Sequence, residues 1–386
     1  MKLTTLASLG LGALTLTACG SAKEISKAIA DGQEASKAAS ESTDTAQIQD
    51  PKASALRTFS VTPAGCKASD SRLFKTPSGL FHLVLAQCAG TSQVYGLRTN
   101  IEGTPAAAHS LLTNCRHGVV SFSAAQGPDS FLLSATCGGT GTYVTNAQEV
   151  LENGHKGEPR EIRRLTGIAD HAIFEGKLAF NPESGTYGYA ARGLFLQIEA
   201  TGELTGGPVK LDDATVVDFR VQGGRFEILQ GGGLHPVTFS AISAFGIPEV
   251  LTKPLDGHPE GSNSADKAVF GGADEVLTYG GNARAWRVTT HKNGLADPAP
   301  ALNQGDAPAA LLDAKVIDAA HLGVLSRKDG SLLYGVVQTE GAQRIVSQRP
   351  IGGSEVQAAA LSIFGEKAFA SMTKNGKAVV TILPSK

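Results

Sequence analysis

The cysteines are the residues whose type and spacing most clearly indicate chemistry. Four of the five recur at intervals of 22, 27 and 22 residues, at Cys66, Cys88, Cys115 and Cys137. Regularly spaced thiols can form disulfides, bind a metal or carry out redox reactions. Because no CxxC pair and no group of histidines accompanies them, we expect disulfides here and neither a metal site nor a redox site.

Motifs for catalysis or cofactor binding are absent from the sequence. The chain contains no HExxH zinc motif, no GxSxG nucleophile motif, no Walker phosphate-binding loop and no EF-hand loop. The nine histidines are scattered, and only His109 and His117 lie close to each other along the chain. The sequence therefore predicts no catalytic residue, no metal ligands and no cofactor.

The composition favours turns and argues against a nucleic-acid partner. The 386 residues include 46 glycines, a high share that favours many tight turns over long helices. The formal net charge is −2, so the chain lacks the strongly positive surface of a nucleic-acid-binding protein.

The first eighteen residues have the features of an export signal. Lys2 supplies a positive charge, and residues 3–18 form a run of 16 residues without a charged side chain. Such a run is too short and wrongly flanked for a permanent membrane span. We expect residues 1–18 to be removed as a signal peptide, and the exported chain to fold where disulfides form.

The end of this run resembles the lipobox of bacterial lipoproteins. Its residues are Leu16, Thr17, Ala18 and Cys19. The resemblance implies that Cys19 becomes the lipidated first residue of the mature chain, with several acyl chains that hold it stably in a membrane. Gly20 follows in place of the Asp of the enteric sorting pattern, which favours the outer membrane. The alternative is an ordinary signal peptide with an incidental cysteine.

Residues 19–54 are predicted to be a flexible linker. The segment is rich in Ala, Ser, Lys, Glu and Asp, has no aromatic residue, and has Ile25, Ile29 and Ile48 as its only large aliphatic residues. It cannot bury enough apolar surface to offset the entropy lost on ordering. A helix over Ala22–Ser40 is the alternative, and a disordered, solvated tether is preferred.

The rest of the chain repeats with a period near 50 residues. Residues 83–91 and 132–140 share five identities in nine positions around Cys88 and Cys137. Further on the cysteines disappear, but a β-prone run, a Gly-centred turn and a second β-prone run keep recurring. The turns average about 47.5 residues apart, at Gly90, Gly139, Arg192, Gly231, Gly281, Asp329 and Asn375. This period is typical of four-stranded propeller blades.

The strand pattern supports the same architecture. Runs such as Phe131–Leu133 and Ala378–Leu383 are apolar on consecutive residues, as strands packed on both faces require. Asp329-Gly330 and Asn375-Gly376 are strong signals for two-residue hairpins. We predict an all-β chain in which residues 55–386 form a single β-propeller of seven four-stranded blades.

The chain ends supply the evidence for ring closure. After Ala378–Leu383 too few residues remain for a fourth strand in the last blade, whereas Leu56–Val61 is a β-prone run that precedes the first repeat. We predict that this run supplies the missing outer strand and removes an open sheet edge.

The strand assignment also selects a disulfide pairing among the three that four cysteines allow. The first cysteine of each pair precedes strand A, and the second ends strand B of the same repeat. Antiparallel pairing places the start of A beside the end of B. We therefore predict Cys66 bonded to Cys88 and Cys115 bonded to Cys137.

The predicted blades also give expected positions for three aspartates and the tryptophan. Asp170, Asp218 and Asp318 fall near inner strands, where they are either ligands or bases at a central channel or, as we prefer, carboxylates that are solvated or paired. Trp286, the only tryptophan, is predicted to pack between blades. The longest polar connections are predicted at residues 146–159, 253–266 and 291–310.

In size, anchor and inferred architecture the chain resembles the propeller lipoproteins of the outer-membrane barrel-assembly machinery. The resemblance covers the lipobox and the blade-like repeats. The Trp-containing motif repeated through that family is missing, as are the WD dipeptide of WD40 repeats and the Gly-Gly to Tyr to Trp spacing of kelch repeats. Beyond Cys19 the resemblance transfers no functional residue, and partner binding is an analogy at the level of the fold.

Two functions follow as hypotheses. The preferred one is a monomeric, lipid-anchored protein of the cell envelope that binds a protein or an envelope polymer through its propeller faces and loops without catalysis. The alternative is a propeller enzyme, of hydrolase or lactonase type, with a channel site built from scattered carboxylates, either with or without Ca²⁺.

Overall fold

Short strands joined by tight turns make up every named element of the described part of the chain. The computed structural model describes residues 56–155, 157–166, 175–232, 235–255, 265–272, 274–280, 285–292, 295–296, 310–340 and 344–384. Cys19, the signal peptide and the linker lie outside these residues, as does Asp170.

Seven antiparallel blades follow one another along the chain, and the first strand of each is its innermost. The chain enters through β1 (Thr58–Ser60). Blade 1 comprises β2 (Lys67–Thr76), β3 (Gly79–Cys88), β4 (Thr91–Thr99) and β5 (Ser110–Leu111). Blade 2 comprises β6 (Val119–Gln126), β7 (Phe131–Cys137), β8 (Thr142–Leu151), the short β9 (Gly154–His155) and β10 (Arg160–Thr166). Blade 3 comprises β11 (Lys177–Asn181), β12 (Thr186–Ala191), β13 (Leu194–Ile198) and β14 (Val209–Lys210).

The remaining four blades have the same order of strands. Blade 4 comprises β15 (Val216–Gln222), β16 (Arg225–Gly232), β17 (His235–Ile242) and β18 (Pro248–Pro254). Blade 5 comprises β19 (Ala265–Phe270), β20 (Glu275–Gly280), β21 (Ala285–Lys292) and β22 (Leu295–Ala296). Blade 6 comprises β23 (Ala310–Asp318), β24 (His321–Lys328), β25 (Ser331–Gln338) and β26 (Arg344–Gly352). Blade 7 comprises β27 (Val356–Phe364), β28 (Lys367–Lys374) and β29 (Lys377–Pro384), with β1 as its outer strand.

The two predicted hairpins are confirmed by their backbone geometry. Asp329 and Gly330 have φ values of 49° and 77°, and Asn375 and Gly376 have values of 52° and 72°. Two consecutive positive φ angles define the turn whose twist matches that of paired strands, and Asp-Gly and Asn-Gly adopt them at low cost.

The ring is closed by the N-terminal strand, as predicted. Phe59 of β1 pairs with Val380 of β29 in antiparallel register. Beyond the strand, the backbone N–H of Val61 donates to the carbonyl of Ala378 at 2.9 Å. The inner strands of blades 7 and 1, β27 and β2, are in contact, so the circle of blades is complete.

The apolar core lies between blades and not within one layer. The described residues form seven apolar clusters, each shared by two neighbouring blades. Phe195 of blade 3 packs on Phe226 of blade 4, for example, with ring centroids 5.2 Å apart. Trp286 of blade 5 is 1% exposed and belongs to a cluster with Val324 and Val337 of blade 6, which confirms its predicted place.

The disulfides join the strands that the sequence predicted. Cys66 immediately precedes β2, and Cys88 ends β3, the strand paired with it; their Cα atoms are 4.5 Å apart. Cys115 and Cys137 are bonded across the equivalent positions of blade 2, with Cα atoms 5.3 Å apart. Each bond thus connects the first two strands of one blade.

Removing one disulfide is expected to destabilise the protein without changing its fold. Each bond encloses a segment with a sequence separation of 22 residues, for which chain entropy predicts a loss of about 3 kcal/mol. Urea unfolding of a Cys66→Ser/Cys88→Ser variant measures this loss. The Cys115→Ser/Cys137→Ser variant is the matched comparison and should lose a similar amount, whereas an unchanged unfolding midpoint in both would contradict the prediction.

One predicted connection is wrong. Residues 146–159 do not form a long loop, because residues up to Leu151 continue β8 and a tight hairpin follows. The polar side chains that suggested a loop are accommodated in the blade: Gln148 donates to the carbonyl of Gly157 at 2.9 Å, while Ala147 and Val150 are fully buried. Most of residues 253–266 and 291–310 lies outside the described part of the chain.

Candidate functional site

A cavity of about 1100 Å³ lies on the axis of the ring. Inner strands of all seven blades line it, represented by Arg72, Phe122, Lys177, Val217, Lys267, Leu312 and Ala359. Because each blade contributes side chains from the same strand, the residues at equivalent positions of the inner strands decide what the channel can bind.

A β-bulge marks one such position. Irregular register between the first two strands occurs in six blades, before Asp70, Ser121, Asp218, Lys267, Asp313 and Ala358. A bulge re-aims the side chain that follows it, and bulges recur beside functional sites. Three of the six residues are aspartates.

Asp218 and Asp313 use this position to join neighbouring blades. Oδ1 of Asp218 accepts the backbone N–H of Phe219, and Oδ2 accepts that of Phe270 in blade 5, at 2.7 Å. Asp313 makes the same pair of contacts, with Oδ2 accepting the backbone N–H of Leu361 in blade 7 at 2.8 Å. These carboxylates are hydrogen-bonded parts of the channel wall, which agrees with the preferred interpretation of Asp218 as a paired group.

Asp318 is also paired, but at the turn after β23. Its Oδ1 accepts the backbone N–H of Ala320 at 3.0 Å and lies 2.7 Å from Nδ1 of His321. In blade 6 the sequence pattern pointed to Asp318, and Asp313 was missed. The signal that distinguishes them is an Asp after two consecutive apolar residues at the start of an inner strand, as in Val216-Val217-Asp218 and Leu311-Leu312-Asp313.

Two lysines line the channel, and a third lines an adjoining pocket. Lys177 begins the inner strand of blade 3 and Lys267 follows the bulge of blade 5, whereas Lys315, two residues after Asp313 in blade 6, lines the adjoining pocket. Desolvation lowers the pKa of Lys177, which nearby Asp218 opposes and the charge of Lys267 reinforces. The Asp313 carboxylate, 3.8 Å from the Lys315 ammonium, raises the pKa of Lys315.

The arginines around the channel, like Lys315, already have partners. Arg220 donates to the buried carboxylate of Glu227 at 2.9 Å and to the carbonyl of Gly272 at 2.7 Å, and its guanidinium stacks 4.2 Å from the centre of the Phe270 ring. Arg72 pairs with Asp70. In the described chain no group of three or more His, Cys, Asp or Glu residues is placed to hold a metal ion.

A second candidate site is an apolar corner at the rim of the ring, comprising the exposed side chains of Phe245, Ile247 and Leu251 in blade 4. Phe245 is 73% exposed and Ile247 is 63% exposed, the highest values among the exposed large apolar residues of the described chain. Both lie in the turn between β17 and β18, and Leu251 follows on β18. Leu204 lies in the corresponding turn of blade 3, paired with Ile198.

Hydrogen bonds hold the turn of the apolar corner in a fixed shape. Ser243 donates its backbone N–H to Ile247 at 2.8 Å, and its Oγ accepts the backbone N–H of Ile247 at 3.1 Å. Gln197 of blade 3 donates to the carbonyl of Ala244 at 2.6 Å. The apolar side chains are therefore displayed on a supported turn. These exposed apolar residues were not predicted from the sequence. The pattern that indicates them is a pair of large apolar residues flanking Gly246, since turns are normally polar.

The membrane anchor predicted at Cys19 lies outside the described residues. Among the residues that are described, none belongs to a helix with the length and apolar character needed to traverse a bilayer.

Comparison with known proteins identifies the fold but no family. No family model matches the chain, and no curated protein matches it. The WD40 repeats of RRP9 are similar with a TM-score of 0.56 and 12% identity, over 88% of this chain and 99% of that one. The β-propeller domain of Cps50 (Swd1) from Myceliophteria thermophila gives 0.50 and 11%, over 83% and 97%. A chain of the Mitotic Checkpoint Complex gives 0.51 and 11%, over 89% and 96%. At such low identity the likeness shows a seven-bladed propeller and nothing more specific.

Proposed function

We propose that this protein is a non-catalytic binding module held at the bacterial cell envelope by a lipid on Cys19. The export-type run and the lipobox support the anchor, and Gly20 favours the outer membrane. The two disulfides are consistent with folding in an oxidising compartment. The propeller fold supports binding, because its similar structures include a chain of a protein assembly, the Mitotic Checkpoint Complex.

The observation that carries the proposal is the apolar corner. Soluble surfaces seldom group large apolar side chains, and an aromatic residue surrounded by aliphatic ones is typical of the centre of a protein interface. Phe245 is the aromatic residue here, with Ile247 beside it on the same fixed turn. The partner is another envelope protein that presents an apolar pocket large enough for the Phe245 ring.

Site-specific photocrosslinking in intact cells tests this function. The full chain carries a photoreactive phenylalanine analogue at position 245, and we expect one discrete crosslinked product in the membrane fraction. The matched control places the same analogue at Glu366, an exposed turn residue between β27 and β28 in blade 7, and should give none.

Two variants separate docking from anchoring. Phe245→Ser/Ile247→Ser should retain membrane association and thermal stability but fail to recover the crosslinked partner in detergent extracts, because both side chains are exposed. Cys19→Ser should lose membrane association. Equal crosslinking from positions 245 and 366 would refute the docking role, and a Cys19→Ser protein that stays in the membrane would refute the anchor.

A further inference from the structure

We propose that the central channel binds a small polyvalent anion, whose phosphate or carboxylate groups are held by Lys177 and Lys267, which both line it. This site lies on the axis of the ring, whereas the apolar corner lies at its rim, so the proposal is independent of the protein-binding function.

Like charges from two blades converge on the channel, because Lys177 of blade 3 and Lys267 of blade 5 both line the cavity. Desolvation and the charge of Lys267 lower the pKa of Lys177, while the charge of Asp218 opposes this shift. Neither Lys177 nor Lys267 forms an ion pair in the described part of the chain. Ammonium groups that repel one another across a confined space are stabilised by an anion that lies between them.

The nearby carboxylates already accept hydrogen bonds from the backbone. Asp218 and Asp313 each accept one backbone N–H from their own strand and one from the next blade. Their oxygens are therefore held at the junctions between blades. The lysine side chains are longer and donate only, so their N–H groups remain the donors available to a molecule in the channel.

The size and lining of the cavity suit a molecule larger than a single ion. A volume of about 1100 Å³ accommodates a molecule much larger than one phosphate ion. Between the neutral residues Ser123 of blade 2 and Ala358 of blade 7, blade 1 contributes Asp70 and Arg72, which pair with each other. Glu175 at the cavity edge opposes a ligand that is negative along its whole length. These features favour a compact molecule with several negative groups at one end.

Isothermal titration calorimetry with the full-length protein in an uncharged detergent tests the proposal. The ligands are inorganic tripolyphosphate in one arm and citrate in the other, so that phosphate and carboxylate recognition are distinguished. We expect saturable binding of at least one of them, weakened by added NaCl because the contacts are ionic. Absence of binding in both arms at low salt would overturn the proposal.

A matched pair of double variants locates the site. Lys177→Gln/Lys267→Gln removes two channel charges and should weaken binding by about a hundredfold, roughly tenfold for each charge-assisted contact. Lys210→Gln/Lys377→Gln removes two exposed lysines from outer surfaces with the same change in net charge, and should leave the affinity unchanged. Equal weakening in both double variants would show a general effect of net charge and would overturn the channel site.

Both double variants should melt close to the wild-type temperature, since the substituted side chains make no ion pairs to lose. Binding of tripolyphosphate should raise the melting temperature of the wild type and of the control variant only. A rise of the same size in Lys177→Gln/Lys267→Gln would place the anion elsewhere and contradict the proposal.

Discussion

Deleting residues 56–62 is expected to unfold the entire propeller and not merely to fray blade 7. Without β1, the outer edge of β29 loses its partner, and the buried side chains of Phe59 and Val61 leave the cluster between blades 1 and 7. That cluster also contains Ala68 and Leu73 of β2, the inner strand of blade 1, so its loss opens the ring at the junction of blades 1 and 7, which we call the seam. Thermal unfolding monitored by circular dichroism should show a much lower midpoint or no cooperative transition.

A point variant tests the same seam with less disturbance. Phe59 is 4% exposed, and Phe59→Ala should cost about 3–5 kcal/mol of unfolding free energy because it leaves a cavity in a packed cluster. Thr58→Ala is the matched control on the same strand, where only a hydroxyl contact to Thr381 is lost, and should cost about 1 kcal/mol. If Phe59→Ala were no more destabilised than Thr58→Ala, β1 would contribute little to stability, and other contacts would close the ring.

The features that the sequence predicts correctly are those encoded within one repeat. The recurring cysteines, the Gly-centred turns and the consecutive apolar runs are all local, and a strand of known direction fixes which cysteines face each other. The hairpin turns at Asp329-Gly330 and Asn375-Gly376 could be predicted from the backbone preferences of those residues alone. Closure was predictable as well, because the last blade lacked a strand and the N-terminal run offered one.

The features that were missed depend on contacts between repeats. The pattern Leu311-Leu312-Asp313 marks the position of Asp313, but its role depends on a bulge in β23 and on a backbone N–H of blade 7, which the residues of one repeat do not specify. The polar residues of β8 suggested a loop because their hydrogen-bond partners lie elsewhere in the blade. The exposure of Phe245 likewise depends on which side of the turn the neighbouring blade covers.

The two proposed sites differ in how the fold supports them. The channel lysines lie on inner strands that are hydrogen-bonded to neighbouring blades, so the channel has a defined shape before any ligand enters. The strand of Lys267 donates the N–H of Phe270 to Asp218, and the strand of Lys177 donates the N–H of Leu178 to Oγ of Ser123. The apolar corner lies on an outer turn, where substitutions cost little stability. A ring of this kind can therefore hold a small molecule on its axis and a protein at its rim without either site constraining the other.

Mild acid is expected to weaken the same seam that β1 closes. His82 is 1% exposed, its Nε2 lies 2.8 Å from Oγ1 of Thr99, and its ring meets that of Phe59 edge-on at 6.0 Å. Desolvation, with a smaller contribution from the charge of His109, lowers the pKa of His82 from 6.5 to about 3. Desolvation also lowers the pKa of His109, whose Nε2–H donates to the carbonyl of Val61.

The sign of the effect follows from these shifts. The unfolded chain binds a proton at His82 near pH 6.5, and the folded chain does not until about pH 3, so the unfolded state holds more protons between these values. The free energy of unfolding is therefore highest well above pH 6.5, and it decreases as the pH falls through 6.5 towards 3. From pH 7.5 to pH 5.5, His82 alone should remove about 1.4 kcal/mol of unfolding free energy. Carboxylates such as Glu355, whose pKa is lowered to about 2, lose their stabilising effect only at lower pH.

Urea unfolding at pH 7.5, 6.5 and 5.5 measures this slope, and His82→Gln isolates its source. The amide of glutamine does not titrate, so the variant should be less stable at pH 7.5 but nearly independent of pH down to 5.5, apart from the smaller contribution of His109. His117→Gln, at an exposed position, is the matched control and should keep the wild-type slope.

Because His82 touches Phe59 and His109 bonds to Val61, the loss of stability in acid should coincide with release of β1. Hydrogen exchange should then be faster at Val61 and Ile382 than at the core of blade 4. Parallel stability curves for the wild type and His82→Gln would show that acid acts elsewhere in the ring.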